Sequence, residues 1–105
     1  MNMNTEQKMT DFESLATACR ALSHPARLAI LQTLAHRGTC ICGEIVDVMP
    51  LSQATVSQHL KILKDAGLIT AEIEGQRSCY CINTGTMGKL REKFALLFGS
   101  LENCC

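Results

Sequence analysis

Between Asp11 and Leu22 the apolar positions Phe12, Leu15, Ala16, Cys19 and Leu22 recur at helical spacing, which predicts a first helix with one face to bury. A second helix follows. Ser23 has the chemistry of an N-cap, Pro25 falls in the first turn where its missing N–H does no harm, and Gly38 is a stop signal just beyond His36. Its apolar residues Ala26, Leu28, Ala29, Ile30, Leu31 and Leu34 predict a central, buried position. A short third helix is expected over 43–48, ended by Pro50. Ser52 then caps a fourth helix that runs to about Ala66, with Gly67 as its C′ residue.

Two helices joined by a tight turn are a helix-turn-helix signal. After them the alternating segments Leu68–Glu74 and Arg77–Ile82 read as two strands meeting at Gly75-Gln76, a β-hairpin. The last segment places Met87, Leu90, Phe94, Leu97 and Leu101 on a narrow seam of the kind that pairs with another helix. The expected order is therefore α-α-α-α-β-β-α. One domain is expected over 11–101, between a flexible segment at 1–10 and a Cys-containing tail at 102–105.

Composition narrows this picture. At 105 residues and 47% apolar side chains the chain suits one core. Aromatics make up only 4%, and an apolar content carried by Leu, Ile, Val and Ala suits packed helices, so the class is mostly α with a hairpin. No window reaches the roughly 18 consecutive apolar residues of a membrane span, and the polar opening MNMNTEQKMTDFE is unlike a signal peptide. A cytoplasmic protein without a membrane partner is expected. Seven Cys, an odd number, in a reducing compartment point to thiol chemistry or metal binding rather than a disulfide framework.

The formal net charge is zero, so any DNA contact must come from local arrangement. In SQATVSQHLKILKDAG, Val56, Leu60 and Leu63 share one face, leaving Gln53, Ala54, Ser57, Gln58 and Lys61 on the other. Small and amide side chains on a helix after a tight turn suit the major groove, where Gln bonds bidentately to adenine. Lys61, Lys64 and the hairpin-tip Arg77 are then phosphate or minor-groove contacts. Any surface helix carries Ser, Gln and Lys, and it is the order helix, turn, helix, hairpin that favours DNA. His59 lies near the buried edge of the wheel and reads as a packed or backbone-bonded histidine.

The phrases ALSHPARLAILQTL, CICGEI, LSQATVSQHLKILKDAGLI and EGQRSCYCI, in that order over about residues 11–100, resemble the ArsR/SmtB winged-helix metalloregulators. The resemblance implies a winged helix-turn-helix homodimer built on the first and last helices. Such a dimer binds double-stranded operator DNA as a repressor and leaves it when a toxic ion binds. It points to Gln53, Ala54, Ser57 and Gln58 as groove residues, to Arg77 on the wing, and to Cys40 and Cys42 as the thiol pair of arsenic, antimony, lead and cadmium sensors. The arsenic-type pattern has a third Cys three residues later, where this chain has Ile45. No His follows His59, so the last-helix histidine site of the family's zinc and nickel sensors is absent.

Soft thiolates select soft ions. A helix turns about 100° per residue, so Cys40 and Cys42 converge on one ion only if the chain around Ile41 is extended. Candidates for a third ligand are Cys79, Cys81, Cys104 and Cys105. Cys79 and Cys81 would face the same side of the outgoing strand, where core packing is the plainer reading. One of them completes a three-sulfur site if Thr39–Ile41 pairs with that strand. The ending ENCC resembles the C-terminal thiol pairs of another arsenic-sensing branch, and Cys19 reads as a buried apolar residue. The expected effector is arsenite or antimonite, with cadmium or lead as alternatives, and no resident cofactor is required. Two rivals remain: the same fold answering to oxidation or persulfide, and a thiol-rich metal buffer or carrier that never touches DNA. No enzyme is expected, because His24, His36 and His59 lack an evident catalytic partner.

Overall fold

The computed structural model describes the backbone of residues 5–38, 40–42, 49–75 and 77–103, and the side chains of these apart from residues 5–8, 42, 74 and 77. The order is α1 (Thr5–Leu22), α2 (Pro25–Arg37), β1 (Ile41–Cys42), α3 (Gln53–Asp65), β2 (Ile69–Glu74), β3 (Arg77–Ile82) and α4 (Thr84–Glu102). The short helix expected over 43–48 and the tail Cys104 and Cys105 lie outside the described residues. No helix among them is long and apolar enough to cross a membrane.

Local chemistry sets most boundaries. The α2 N-cap is His24 rather than Ser23: Pro25 occupies the first helical position, so the residue before it must cap, and the His24 ring accepts from the Ala26 N–H at 3.0 Å. Ser23 instead closes α1, its hydroxyl donating to the Arg20 carbonyl at 2.6 Å. Ser52 caps α3 by accepting from the Thr55 N–H. The α3 C-terminus is a Schellman closure. Gly67 at φ 79° donates to the Lys64 carbonyl and Leu68 to the Leu63 carbonyl. Helix α1 begins at Thr5, ahead of the Asp11 start read from periodicity.

Three strands form a sheet in the order β1-β3-β2, antiparallel throughout. In the hairpin Glu74 pairs with Arg77, with Gly75 at φ 62° in the two-residue turn. The short β1 lies on the other side of β3 in the register Ile41↔Tyr80 and Cys42↔Cys79.

The core joins Leu15, Ala18 and Ala21 of α1, Ile30 and Leu34 of α2, Ile41 of β1, Val56, Leu60 and Leu63 of α3, then Leu68, Ile69 and Leu90. Two expected faces are corrected. On α1 the residues turned inward are Leu15, Ala18 and Ala21, whereas Phe12, Ala16 and Cys19 are exposed. The chain carries two apolar stripes on α1, and only one is used within the protomer. Helix α2 is buried along one side only, with Leu28 left 50% exposed. On α4, Met87, Leu90, Phe94 and Leu97 of the seam pack on this chain's own core, while Leu96, Phe98 and Leu101 face outward.

Candidate nucleic-acid interface and thiol cluster

Helix α3 buries Val56, His59, Leu60 and Leu63 and presents Gln53, Ala54, Ser57, Gln58 and Lys61 to solvent. Every groove candidate on this helix is therefore accessible. Lys61 pairs with Asp65 at 3.6 Å, but at 78% exposure the pair is weak and readily exchanged for a phosphate. Arg77 opens β3 at the hairpin turn, and its side chain is outside the described atoms.

His59 is held by a side chain rather than by backbone. Arg27 of α2 donates from Nε to the Ala21 carbonyl at 2.6 Å, from one terminal nitrogen to the Arg20 carbonyl at 3.3 Å, and from the other to His59 Nδ1 at 3.2 Å. A guanidinium can only donate, so Nδ1 accepts and the imidazole is neutral with its proton on Nε2. The His24 ring lies over it at 4.5 Å. Burial, the nearby His24 and the Arg27 charge, in that order, push the His59 pKa down from its usual 6.5. Arg27 thereby fixes α3 to the end of α1. The sequence reading missed it; the available signal was a charged Arg27 in the SHPAR entry, where the rest of the first two turns of α2 is apolar up to Gln32.

At the other end of the sheet the backbone of Ile41–Cys42 is extended. Strand alternation puts Ile41 on the core face with Tyr80, and Cys40 and Cys42 on the opposite face with Cys79 and Cys81. Cys40 and Cys81 are joined by a disulfide, their Cα atoms 4.4 Å apart. The cysteines were not expected to form a disulfide framework, yet facing positions on two antiparallel strands bring the Cβ atoms of this pair within bonding reach. Cys79, the register partner of Cys42, is 4% exposed and also disulfide-bonded. Its burial is thus on the face away from the core. Cys19 is free and exposed, correcting its reading as a buried residue.

An apolar cleft of about 350 Å³ opens beside Cys40 and Cys81, lined also by Leu34, Ala35, Gly38, Ile82 and Thr84. Among the described residues, no group of three or more His, Cys, Asp or Glu side chains stands ready to hold a metal in this disulfide-bonded form.

A helix-turn-helix domain profile matches residues 22–72, which take in α2, β1, α3 and the start of the hairpin. An arsenical resistance operon repressor of Bacillus subtilis is 40% identical over 90 residues, 82% of this chain and 85% of that protein. The chain belongs to the ArsR/SmtB family of winged helix-turn-helix regulators. A helix-turn-helix-type transcriptional regulator of Methanocaldococcus jannaschii is 41% identical over 75 residues, covering 70% of this chain and 83% of its own. A homodimeric winged helix-turn-helix DNA-binding domain from Mycobacterium bovis superposes with a TM-score of 0.70 at 28% identity, over 97% of this chain and 91% of that one. In this ArsR/SmtB protein β2 and β3 are the wing, and α3 is the helix that leads into it.

Proposed function

We propose that the chain is a cytoplasmic, homodimeric repressor, not an enzyme. It reads operator DNA with Gln53, Ala54, Ser57 and Gln58 of α3, and Lys61 and Arg77 contact the backbone. A thiophilic ion, arsenite or antimonite first and cadmium or lead next, releases it when held by thiolates centred on Cys40 and Cys42. The observation that carries this reading is the pairing of β1 with the wing strand: the thiol-bearing segment and the wing belong to one sheet. An ion held at residues 40–42 acts on that sheet and, through the segment leading to Ser52, on α3. A switch of this kind needs a coupling of only about 1–3 kcal/mol.

Self-association is supported by the outward stripe Met9, Phe12, Ala16 and Cys19 on α1, spaced as a coiled-coil seam. It lies in the same protomer as the exposed Leu96, Phe98 and Leu101 of α4. The Mycobacterium bovis relative is itself homodimeric, which supports self-association.

The test is fluorescence anisotropy of the reduced protein on DNA from upstream of its own gene, with arsenite then added. Binding followed by release at near-stoichiometric arsenite is expected. Binding that survives arsenite and every other thiophilic ion overturns the sensing half, and failure to bind any such DNA favours a metal buffer. A second reading, release by oxidation, is favoured by one observation, the disulfide between Cys40 and Cys81 from different elements. Loss of DNA binding on oxidation alone, restored by reduction, would establish it.

A further inference from the structure

Resting on the thiol-sensing reading above, we propose that Cys81 of the wing strand supplies the third sulfur to Cys40 and Cys42, making a one-sided three-thiolate seat for trivalent arsenic or antimony.

The register carries the argument. Cys42 stands opposite Cys79, and Cys40 is bonded to Cys81, so four cysteines occupy the corners of one patch of sheet. The patch measures 4.4 Å between Cα atoms across the strands at the Cys40 end. Along a strand, alternate residues are roughly 6.7 Å apart. Two sulfurs that share an ion at about 2.3 Å each stand roughly 3.5–4 Å from one another. Cys40 and Cys81 already face each other across the two strands, so once reduced both can reach one ion.

All four positions lie on the same face of the sheet, the one turned away from Ile41 and the core. Their sulfurs can fill only one hemisphere around an ion. That suits an ion that holds three sulfurs in a pyramid and keeps a lone pair on its open side. A divalent ion that wants four ligands in a tetrahedron needs one from the opposite side, where this face offers none. The seat therefore discriminates by geometry as well as by softness.

Cys81 is chosen over Cys79 by access. Cys81 is half-buried and, with Cys40, lines the apolar cleft through which an ion can arrive, whereas Cys79 is buried. The chemistry is exchange without oxidation: arsenous acid and three thiols give one tris-thiolate and three waters. Three As–O bonds break, three As–S bonds form, and each thiol proton leaves with a hydroxide. The product ties β1 to the wing through the ion.

The test uses the full, reduced chain with arsenite alone. X-ray absorption at the arsenic edge should count three sulfurs in the wild type and in Cys79→Ser, and in a Cys104→Ser/Cys105→Ser double variant. Cys81→Ser should lose one sulfur, with a fall in arsenite affinity beyond the roughly 10–100-fold that an outer-shell partner costs. Operator binding by Cys81→Ser without arsenite shows that it is folded. Independently of any variant, arsenite should shield Cys40, Cys42 and Cys81 of the wild type from alkylation and leave Cys104 and Cys105 reactive. Three sulfurs retained in Cys81→Ser, shielding of the tail instead, or tight four-sulfur cadmium binding at this face overturns the proposal. DNA release is read in parallel. If Cys81→Ser loses arsenite but arsenite never releases the wild type, the seat stands and the switch fails. If arsenite releases Cys81→Ser as easily as the wild type, the switch stands and the seat fails.

Discussion

Arg27 donates a hydrogen bond to His59 Nδ1 across 3.2 Å, and with its other nitrogens it holds the carbonyls of Arg20 and Ala21. One side chain therefore ties the end of α1 and the inner face of α3 to α2. Arg27→Ala leaves two partly buried acceptors, the Ala21 carbonyl and His59 Nδ1, without this donor, while the exposed Arg20 carbonyl keeps Ser23. Hydrogen bonds to charged groups contribute about 1.5–3 kcal/mol each, and partial access to water lowers the sum, so a loss of about 2–4 kcal/mol is expected. Urea unfolding followed by circular dichroism checks this, and Arg27→Lys should recover only a small part, having no fork to reach three acceptors.

The same histidine sets a pH dependence. His59 is held below 6.5 by burial, by His24 and by Arg27, so in the acid range the unfolded chain takes up its proton first. The stabilisation is fully present above about 6.5 and is lost as pH falls through the lowered folded-state value. Midpoints of urea unfolding measured from pH 7.5 down to 5 should fall. His59→Gln should flatten that slope, and an unchanged slope in the variant would assign it to other groups.

On the reading face, Gln58→Ala should cost about 1–3 kcal/mol of discrimination between operator and a site with one adenine replaced, without lowering thermal stability, because Gln58 is exposed. Lys61→Ala should weaken operator and unrelated DNA alike and reduce the salt slope by about 1. With zero formal net charge and few basic side chains near α3, the wild-type slope itself should be modest. Anisotropy titrations over a salt series measure all three.

What could be read from residues alone divides by range. Ser52, Gly67 and the Gly75-Gln76 turn act within a few neighbours, and the ends of α3 and the hairpin register follow from them. The exposed row of α3 was readable because its buried face is strictly periodic. Helix α1 was not, since Phe12, Ala16 and Cys19 repeat as regularly as Leu15, Ala18 and Leu22. Periodicity cannot say which stripe meets the protomer's own core. The joining of Cys40 to Cys81 depends on the register of two strands 41 residues apart in sequence, which no local pattern encodes.

The unused stripe gives a prediction of its own. Phe12→Glu with Leu96→Glu places charge on exposed apolar positions of α1 and α4, the second of them 74% exposed. Neither residue belongs to the core, so the variant should remain folded. Sedimentation should show a monomer where the wild type sediments as a dimer, and operator affinity should fall because only one half-site is held.

A sulfur in a disulfide is not a thiolate ligand, so the oxidised and ion-bound forms exclude each other. Treating the protein with oxidised glutathione transfers two electrons from Cys40 and Cys81 to the reagent, giving the protein disulfide and two molecules of reduced glutathione. Arsenite uptake, measured as arsenic retained after desalting, should then fall to a small fraction of the reduced value and return after treatment with a phosphine. DNA binding by the oxidised form separates the two readings of the cluster. If the oxidised protein holds its operator and ignores arsenite, the disulfide is a lock on the ion seat. If it leaves the operator unaided, the cysteines sense oxidation directly, and the ion becomes a second ligand of the same switch.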